Sequence, residues 1–366
     1  MKIKKRFLIP FIICAAMLLM NLAARLSTAF ADFYVMKIFR CISVPFAYIS
    51  GLMPFSAGEV LIILGILFVI IGIPLTVLLF IFGRSFRKKT AMIFSTALVW
   101  MLTFIFTTET LNCFIMYQCT PFAERYLSPG SHNNEQLAQL YAALINEAND
   151  LAEQVPRDDE DRFIVTCDYR SIAKSAMKKL SSEYPQLSGF YPDAKPIMFS
   201  YFMSQADLLG IYFPFSMESN YNDDMVSSNL PNTICHEYSH LKGIIQEDEA
   251  NFIAYRACIE SGNIQFRYSG VLEALEYVNN QMYKNDVPGA SSLSDGISDK
   301  VRRDWYRFLP DTYWEDNEEK EVIKTESVTK ASETAIDTNI KMNGREDGIE
   351  AYSGVVTLLL DYYFPA

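Results

Sequence analysis

The stretch TICHEYSHLKGIIQEDEANFIAY, Thr233 to Tyr255, holds two of the 3 histidines in a chain of 366 residues. His236 and His240 stand four apart, so on an α-helix their imidazoles leave one face, one turn apart, and can reach a single ion. Glu237 lies between them and to one side, where a carboxylate can meet a metal-bound water without being a ligand. Pro231 and Asn232 mark a start for this helix and Gly243 a stop. Ile234, Cys235, Tyr238, Ser239 and Leu241 are uncharged, as a buried helix requires, whereas Lys242 is out of keeping. The competing reading is a pair of surface histidines bridged to local carboxylates.

A catalytic zinc keeps three protein ligands and one open position, so a third donor is needed. If Gly243 turns the chain back, a second helix from about Glu247 to Ser261 runs antiparallel to the first and brings its opening carboxylates near His240. Glu247 is the first choice, Glu249 the alternative third ligand, and Glu260 a distant third. Asn251, four residues after Glu247, shares its face and is expected to hydrogen-bond a ligand histidine. Glu247, Asp248 and Glu249 would also favour a helix N-terminus merely by their charge.

Outward from this stretch the chain is asymmetric. Residues 1–112 carry 11 Lys and Arg against 3 acidic residues, which leaves 21 basic and 40 acidic in residues 113–366, a net charge of −19 there. That balance argues for a soluble rear domain and against nucleic acid as a partner. Three apolar runs at about 7–28, 58–83 and 90–112 are long enough to cross a bilayer. The basic N-terminus and GRSFRKK, residues 83–89, are expected on the cytoplasmic side, which places residues 113–366 outside the cell membrane. The segment from Asp32 to Phe55 is apolar and aromatic but contains Lys37, Arg40 and Pro45; it is read as a helix lying in the outer interface. STAFA, residues 27–31, is a weak cleavage signal, and the first run is read as retained.

The rear domain opens with helical patterns at Asn134–Val155 and Tyr169–Tyr184. KPIMFSYFMSQADLLGIYFPFSMESNY, Lys195–Tyr221, reads as strands or extended segments, and VLEALEYVNNQMY, Val271–Tyr283, as a third helix after the histidine pair. Glu315–Asn339 reads as a solvated helix or flexible arm, and GIEAYSGVVTLLLDYYF, Gly348–Phe364, as an amphipathic closing segment. Cys113 and Cys119 could bridge in an oxidising compartment or remain free. Cys235 points away from the histidine face and is read as a small buried residue.

EDEANFIAY resembles the glutamate helix of gluzincins such as the ImmA/IrrE-type and the membrane-bound CAAX prenyl and heat-shock proteases, in a Glu-x-x-Ala-Asn pattern with Glu247 as ligand and Asn251 in the place of an aspartate. Six residues separate His240 from Glu247, fewer than in those families. HEYSHLKG shares the histidine-to-glycine spacing of metzincins, but Gln246 stands where their third histidine falls. The three spans, GIYFPFSMESNYN, the histidine stretch and NGREDGIEAYSGVV together resemble an uncharacterised bacterial family of membrane-anchored HExxH proteins, a domain of unknown function presumed to be a metallopeptidase. The resemblance implies that Tyr212–Tyr221 matters, either as an edge strand that pairs with extended substrate or as structure.

The expectation is therefore a mainly α protein, with three N-terminal transmembrane helices and a mostly helical, zincin-like α+β domain. It would bind Zn2+ through His236, His240 and Glu247, with Glu237 as general base for hydrolysis of a peptide or protein substrate. Tyr352 and Tyr255 are candidates for the oxyanion. Two other classes stay open: a non-hydrolytic metal-binding sensor or assembly protein, with Glu249 closing a tetrahedral site, and a metal-dependent hydrolase of a non-peptide envelope substrate.

Overall fold

Long apolar runs without charge leave the backbone to satisfy its own hydrogen bonds, and the front of the chain is helical for that reason. The computed structural model describes residues 5–83, 87–305, 308–342 and 354–365, and it is mainly α. The chain divides into two units, Met1–Cys119 with Phe213–Glu218, and Thr120–Tyr212 with Ser219–Ala366.

In the first unit, α1 (Lys5–Leu26) is followed by α2 (Thr28–Phe33), which continues through a π turn into α3 (Phe39–Gly51). Then come α4 (Ala57–Leu67), a second π turn, α5 (Ile73–Phe82) and α6 (Arg87–Glu109). Among the described residues, four helices are long and apolar enough to cross a membrane: Arg6–Leu26, Thr28–Gly51, Ala57–Phe82 and Arg87–Gln118. The three expected runs are among them, and Thr28–Gly51 is the segment expected to lie flat.

The packing of this unit bears on that segment. Cys14 Sγ lies 3.6 Å from Thr103 Oγ1, and Asn21 Nδ2 donates to Thr110 Oγ1 at 2.8 Å, so α1 and α6 run parallel, in register over seven residues. Tyr34 donates its hydroxyl to the Leu111 carbonyl at 2.8 Å, which keeps the start of Thr28–Gly51 at the C-terminal end of α6. The N-terminus of α4 lies at that end too. Its Ala57 and Gly58 amides donate to the Glu218 carboxylate at 3.1 and 2.7 Å, and Asn112 Nδ2 donates to the nearby Pro214 carbonyl at 2.6 Å. Thr28–Gly51 therefore enters and leaves at one end of the bundle. Its buried side, Val35, Phe39, Ser43, Ala47 and Ser50, recurs at helical spacing, while Lys37 and Arg40 are exposed. Ser27 and Ser56 start the flanking helices by accepting from the amides of Phe30 and Glu59.

In the second unit, α7 (Phe122–Tyr126), α8 (Asn134–Ala152) and α9 (Tyr169–Leu180) precede a small sheet of β1 (Lys195–Pro196), β2 (Gly210–Phe213) and β3 (Glu218–Tyr221). The strand order is β1-β3-β2, with β1 parallel to β3 in the register Lys195 to Asn220 and β2 on the edge. Between β1 and β2 the expected extended run is interrupted by a helix, α10 (Ser200–Gln205). A short apolar aromatic run fits either state, and tertiary packing decides.

The core helices follow: α11 (Leu230–Leu241), α12 (Glu247–Glu260) and α13 (Ile264–Lys284), the last starting seven residues before the expected helix because Asn263 caps it. After the short helices α14 (Ala290–Ser294), α15 (Asp299–Asp304) and α16 (Tyr313–Asp316), the exposed α17 (Thr325–Met342) occupies the polar arm, and α18 (Gly354–Tyr363) packs on α12. Buried Asp304 ties α15 inward, accepting from Arg157 and Tyr268 at 2.7 Å and from the Phe163 amide at 2.9 Å. None of the seven cysteines is in a disulfide, Cys113 and Cys119 included; Cys235 is buried as expected.

The parallel register of α1 and α6 predicts a labelling pattern. In a cysteine-free background, single cysteines at Ser27 and Leu52 should react alike with an impermeant thiol reagent in intact cells, and one at Lys88 should behave oppositely. A cysteine at Leu52 that matched Lys88 would show that Thr28–Gly51 crosses the bilayer.

Candidate metal centre

Helix α11 ends where glycine lets it. Gly243 adopts φ +84°, the left-handed conformation that ends helices without a Cβ penalty. Its amide donates to the His240 carbonyl at 2.9 Å and the Ile244 amide to the Ser239 carbonyl at 3.1 Å, the paired bonds of a Schellman turn. Four residues after Gly243 α12 begins, antiparallel to α11, with Glu247 in its first turn beside the last turn of α11.

The side chains of His236, His240 and Glu247 converge, each offering one ligand atom within 4.8 Å of the others. Glu247 Oε2 lies 3.2 Å from His236 Nε2 and 3.7 Å from His240 Nε2. A tetrahedral ion with bonds of about 2.0–2.1 Å has donor atoms about 3.3 Å apart, so the three fit such an ion with small adjustments. The two imidazole rings meet edge-on at 4.6 Å between centroids.

His240 is oriented by the turn itself. Its Nδ1 lies 2.8 Å from the Ile244 carbonyl oxygen. A carbonyl only accepts, so Nδ1 carries the proton and Nε2 faces Glu247 as the available donor atom. This backbone partner plays the part expected of Asn251. The Asn251 side chain is buried, but its Nδ2 has no hydrogen-bond partner and does not hold a ligand histidine.

The alternative ligands are engaged elsewhere. The Glu249 carboxylate accepts from the Phe122 amide, at the start of α7, and Glu260 pairs with Arg256 at the far end of α12. Tyr255 is buried with its hydroxyl against that of Tyr363, and Tyr352 lies outside the described residues. Lys242, out of place in sequence, folds over the Tyr191 ring at 3.8 Å and donates to the Phe190 carbonyl. Tyr212, on β2, brings its ring to 6.2 Å from that of His240.

Burial and charge set the titration of the cluster. Burial opposes charge on Glu247, but the facing His240 and His236 imidazoles outweigh it and hold this carboxyl well below its usual range. Burial likewise opposes charge on His240, but Glu247, with help from Glu237 and the Ile244 carbonyl, raises it to about 9. Burial lifts Glu237 to about 7 against the pull of the two imidazoles. Glu237 is 4% exposed, and its Oε2 has no hydrogen-bond partner within the protein.

Residues 34–360 match the model of a family described as Protein of unknown function (DUF3810). The chain belongs to that family. The expected membership of a family of unknown function is thereby met, and the DUF3810 match spans the histidine stretch and most of both units. No curated protein matches, and no solved structure matches.

Because a proton on His240 competes with a metal, affinity should climb as pH rises toward about 9 and level off above it. For one displaced proton the rise is roughly ten-fold per pH unit below that value, measurable by competition with a chromogenic chelator whose own protonation is corrected for. Glu247, already ionised, contributes no slope there. Glu249→Gln should leave metal affinity within about two-fold and lower the melting temperature through loss of a charge-assisted bond to Phe122. A flat affinity profile between pH 6 and 8, or loss of metal in Glu249→Gln, would contradict this ligand set.

Proposed function

We propose that this member of the DUF3810 family is a membrane-anchored, metal-dependent peptidase, in which His236, His240 and Glu247 hold a divalent ion, zinc by the character of its donors, and Glu237 is the general base. The observation that carries the reading is the convergence of the three donor atoms beside a buried carboxylate with an unpartnered oxygen. Bound there, the ion would supply Lewis acidity, polarising a carbonyl and acidifying a water.

The residues of the chain supply the rest. Glu247 balances charge between the two imidazoles, and the Ile244 carbonyl fixes the tautomer of His240. Glu237, held near neutrality at about 7, is matched both to accept a proton from water and to return it to a leaving amine. An edge strand, β2, runs beside the centre, with Tyr212 against His240, and such an edge can pair with the backbone of an extended peptide, which favours that substrate class. A closed structural site would need a fourth protein ligand, and the engagement of Glu249 with Phe122 counts against the one named for that role.

We further propose that the first unit crosses the bilayer with Arg6 and Arg87 toward the cytoplasm, while Thr28–Gly51 rests in the opposite interface. Labelling of Ser27 and Leu52 variants from outside intact cells reads this orientation directly. The second unit would then act outside the cell membrane.

The hydrolytic claim is tested with the full chain in detergent and a mixed peptide library read by mass spectrometry. Glu237→Gln should keep its metal and lose at least roughly 100-fold in cleavage rate. Equal cleavage by the variant, or a metal-loaded wild type that cuts nothing in the library, would count against a peptidase.

A further inference from the structure

Strand β2 makes its closest approach to α11 at Gly210. A Cβ at that position would lie 2.4 Å from Glu237 Oε1, 2.8 Å from Glu237 Cγ and 2.8 Å from Thr233 Cγ2. Nothing else at this position calls for glycine. Gly210 lies in a regular strand and is not among the residues with positive φ, so its backbone would accept any L-residue. Space alone requires the missing side chain.

Thr233 and Glu237 are four apart on α11 and present one face to the strand. Two residues beyond Gly210, on the same side of β2, Tyr212 meets His240. The strand thus runs along the helix face that carries the centre, and the Glu237 carboxylate is held between helix and bare backbone. One of its oxygens, Oε1, is walled by Gly210, while the other, Oε2, is buried without a partner.

We propose that Gly210 is a positioning residue for Glu237: the exposed backbone of β2 is a backstop that confines the carboxylate to one pose and directs Oε2 at the metal-bound ligand. The proposal rests on the metal reading above. A methyl group at 210 displaces the carboxylate while leaving His236, His240 and Glu247 untouched.

The test uses the full chain loaded with Co2+ and titrated with acetohydroxamic acid, a bidentate chelator that must pass its hydroxyl proton to a nearby base. Binding is read in the visible spectrum of the cobalt. Gly210→Ala should retain Co2+ uptake and lose roughly ten- to a hundred-fold in acetohydroxamate affinity, as Glu237→Gln does, because a charge-assisted hydrogen bond is lost. The double variant should be no weaker than Glu237→Gln alone, since Gly210 acts only through that carboxylate. Unchanged affinity in Gly210→Ala, or losses that add in the double variant, would overturn the proposal and leave the metal centre standing. A wild-type chain that takes up no Co2+ would overturn the metal reading and this proposal with it. If Gly210→Ala does not fold, Gly210→Ala with Thr233→Ser removes the methyl contact, preserves the carboxylate clash and carries the same expectations.

Discussion

Between His240 and Glu247 the chain has six residues in which to end one helix, reverse and begin another. So short a return leaves α11 and α12 no choice but to lie antiparallel and adjacent, with the first turn of one beside the last turn of the other. Gly243 permits the reversal because it accepts a left-handed backbone. The reversal also brings the Ile244 carbonyl back onto His240 Nδ1. One turn thus sets the third donor against the two histidines and selects the tautomer that leaves Nε2 available. A longer connection would separate these two effects.

Around this turn the second unit is arranged as support. Glu249, two residues after Glu247, secures α7, and Lys242 secures the segment around Tyr191, so residues flanking the cluster are committed to structure. Helix α18 packs on α12 and buries Val355, Val356, Leu358 and Leu359, which stiffens the helix that carries Glu247. Charged groups are costly to bury, and the cluster limits that cost by opposing Glu247 to two imidazoles. Glu237 is the exception, buried without a facing cation close enough to outweigh desolvation, and lifted to about 7.

The legible parts of the site were those set by local spacing. His236, Glu237 and His240 share one helix, so a four-residue interval decides their geometry, and the brevity of the return makes Glu247 readable from sequence. Asn251 was misjudged because helical spacing gives a face and says nothing about what the opposing element offers. The real partner of His240 is a backbone carbonyl, which every residue possesses and no motif records. Gly210 was equally hidden, since its role is an approach between elements 27 residues apart along the chain, counted to Glu237. In the fold, the spans announced themselves by apolar length, and Thr28–Gly51, read as lying flat on account of Lys37, Arg40 and Pro45, is also long and apolar enough to cross. Helix α10 escaped because FSYFMSQ, residues 199–205, suits a strand as well as a helix until neighbours are known.

Everything proposed for this protein depends on whether His236, His240 and Glu247, on α11 and α12, hold one metal ion. The most direct measurement is elemental analysis of the purified full chain beside its Glu247→Ala and His240→Ala variants. A single centre should give about one zinc per chain in the wild type and a loss of at least most of it in both variants, with helical content unchanged. A well-folded wild type that carries no divalent metal after zinc loading would contradict it, as would zinc retained in full when Glu247 is removed.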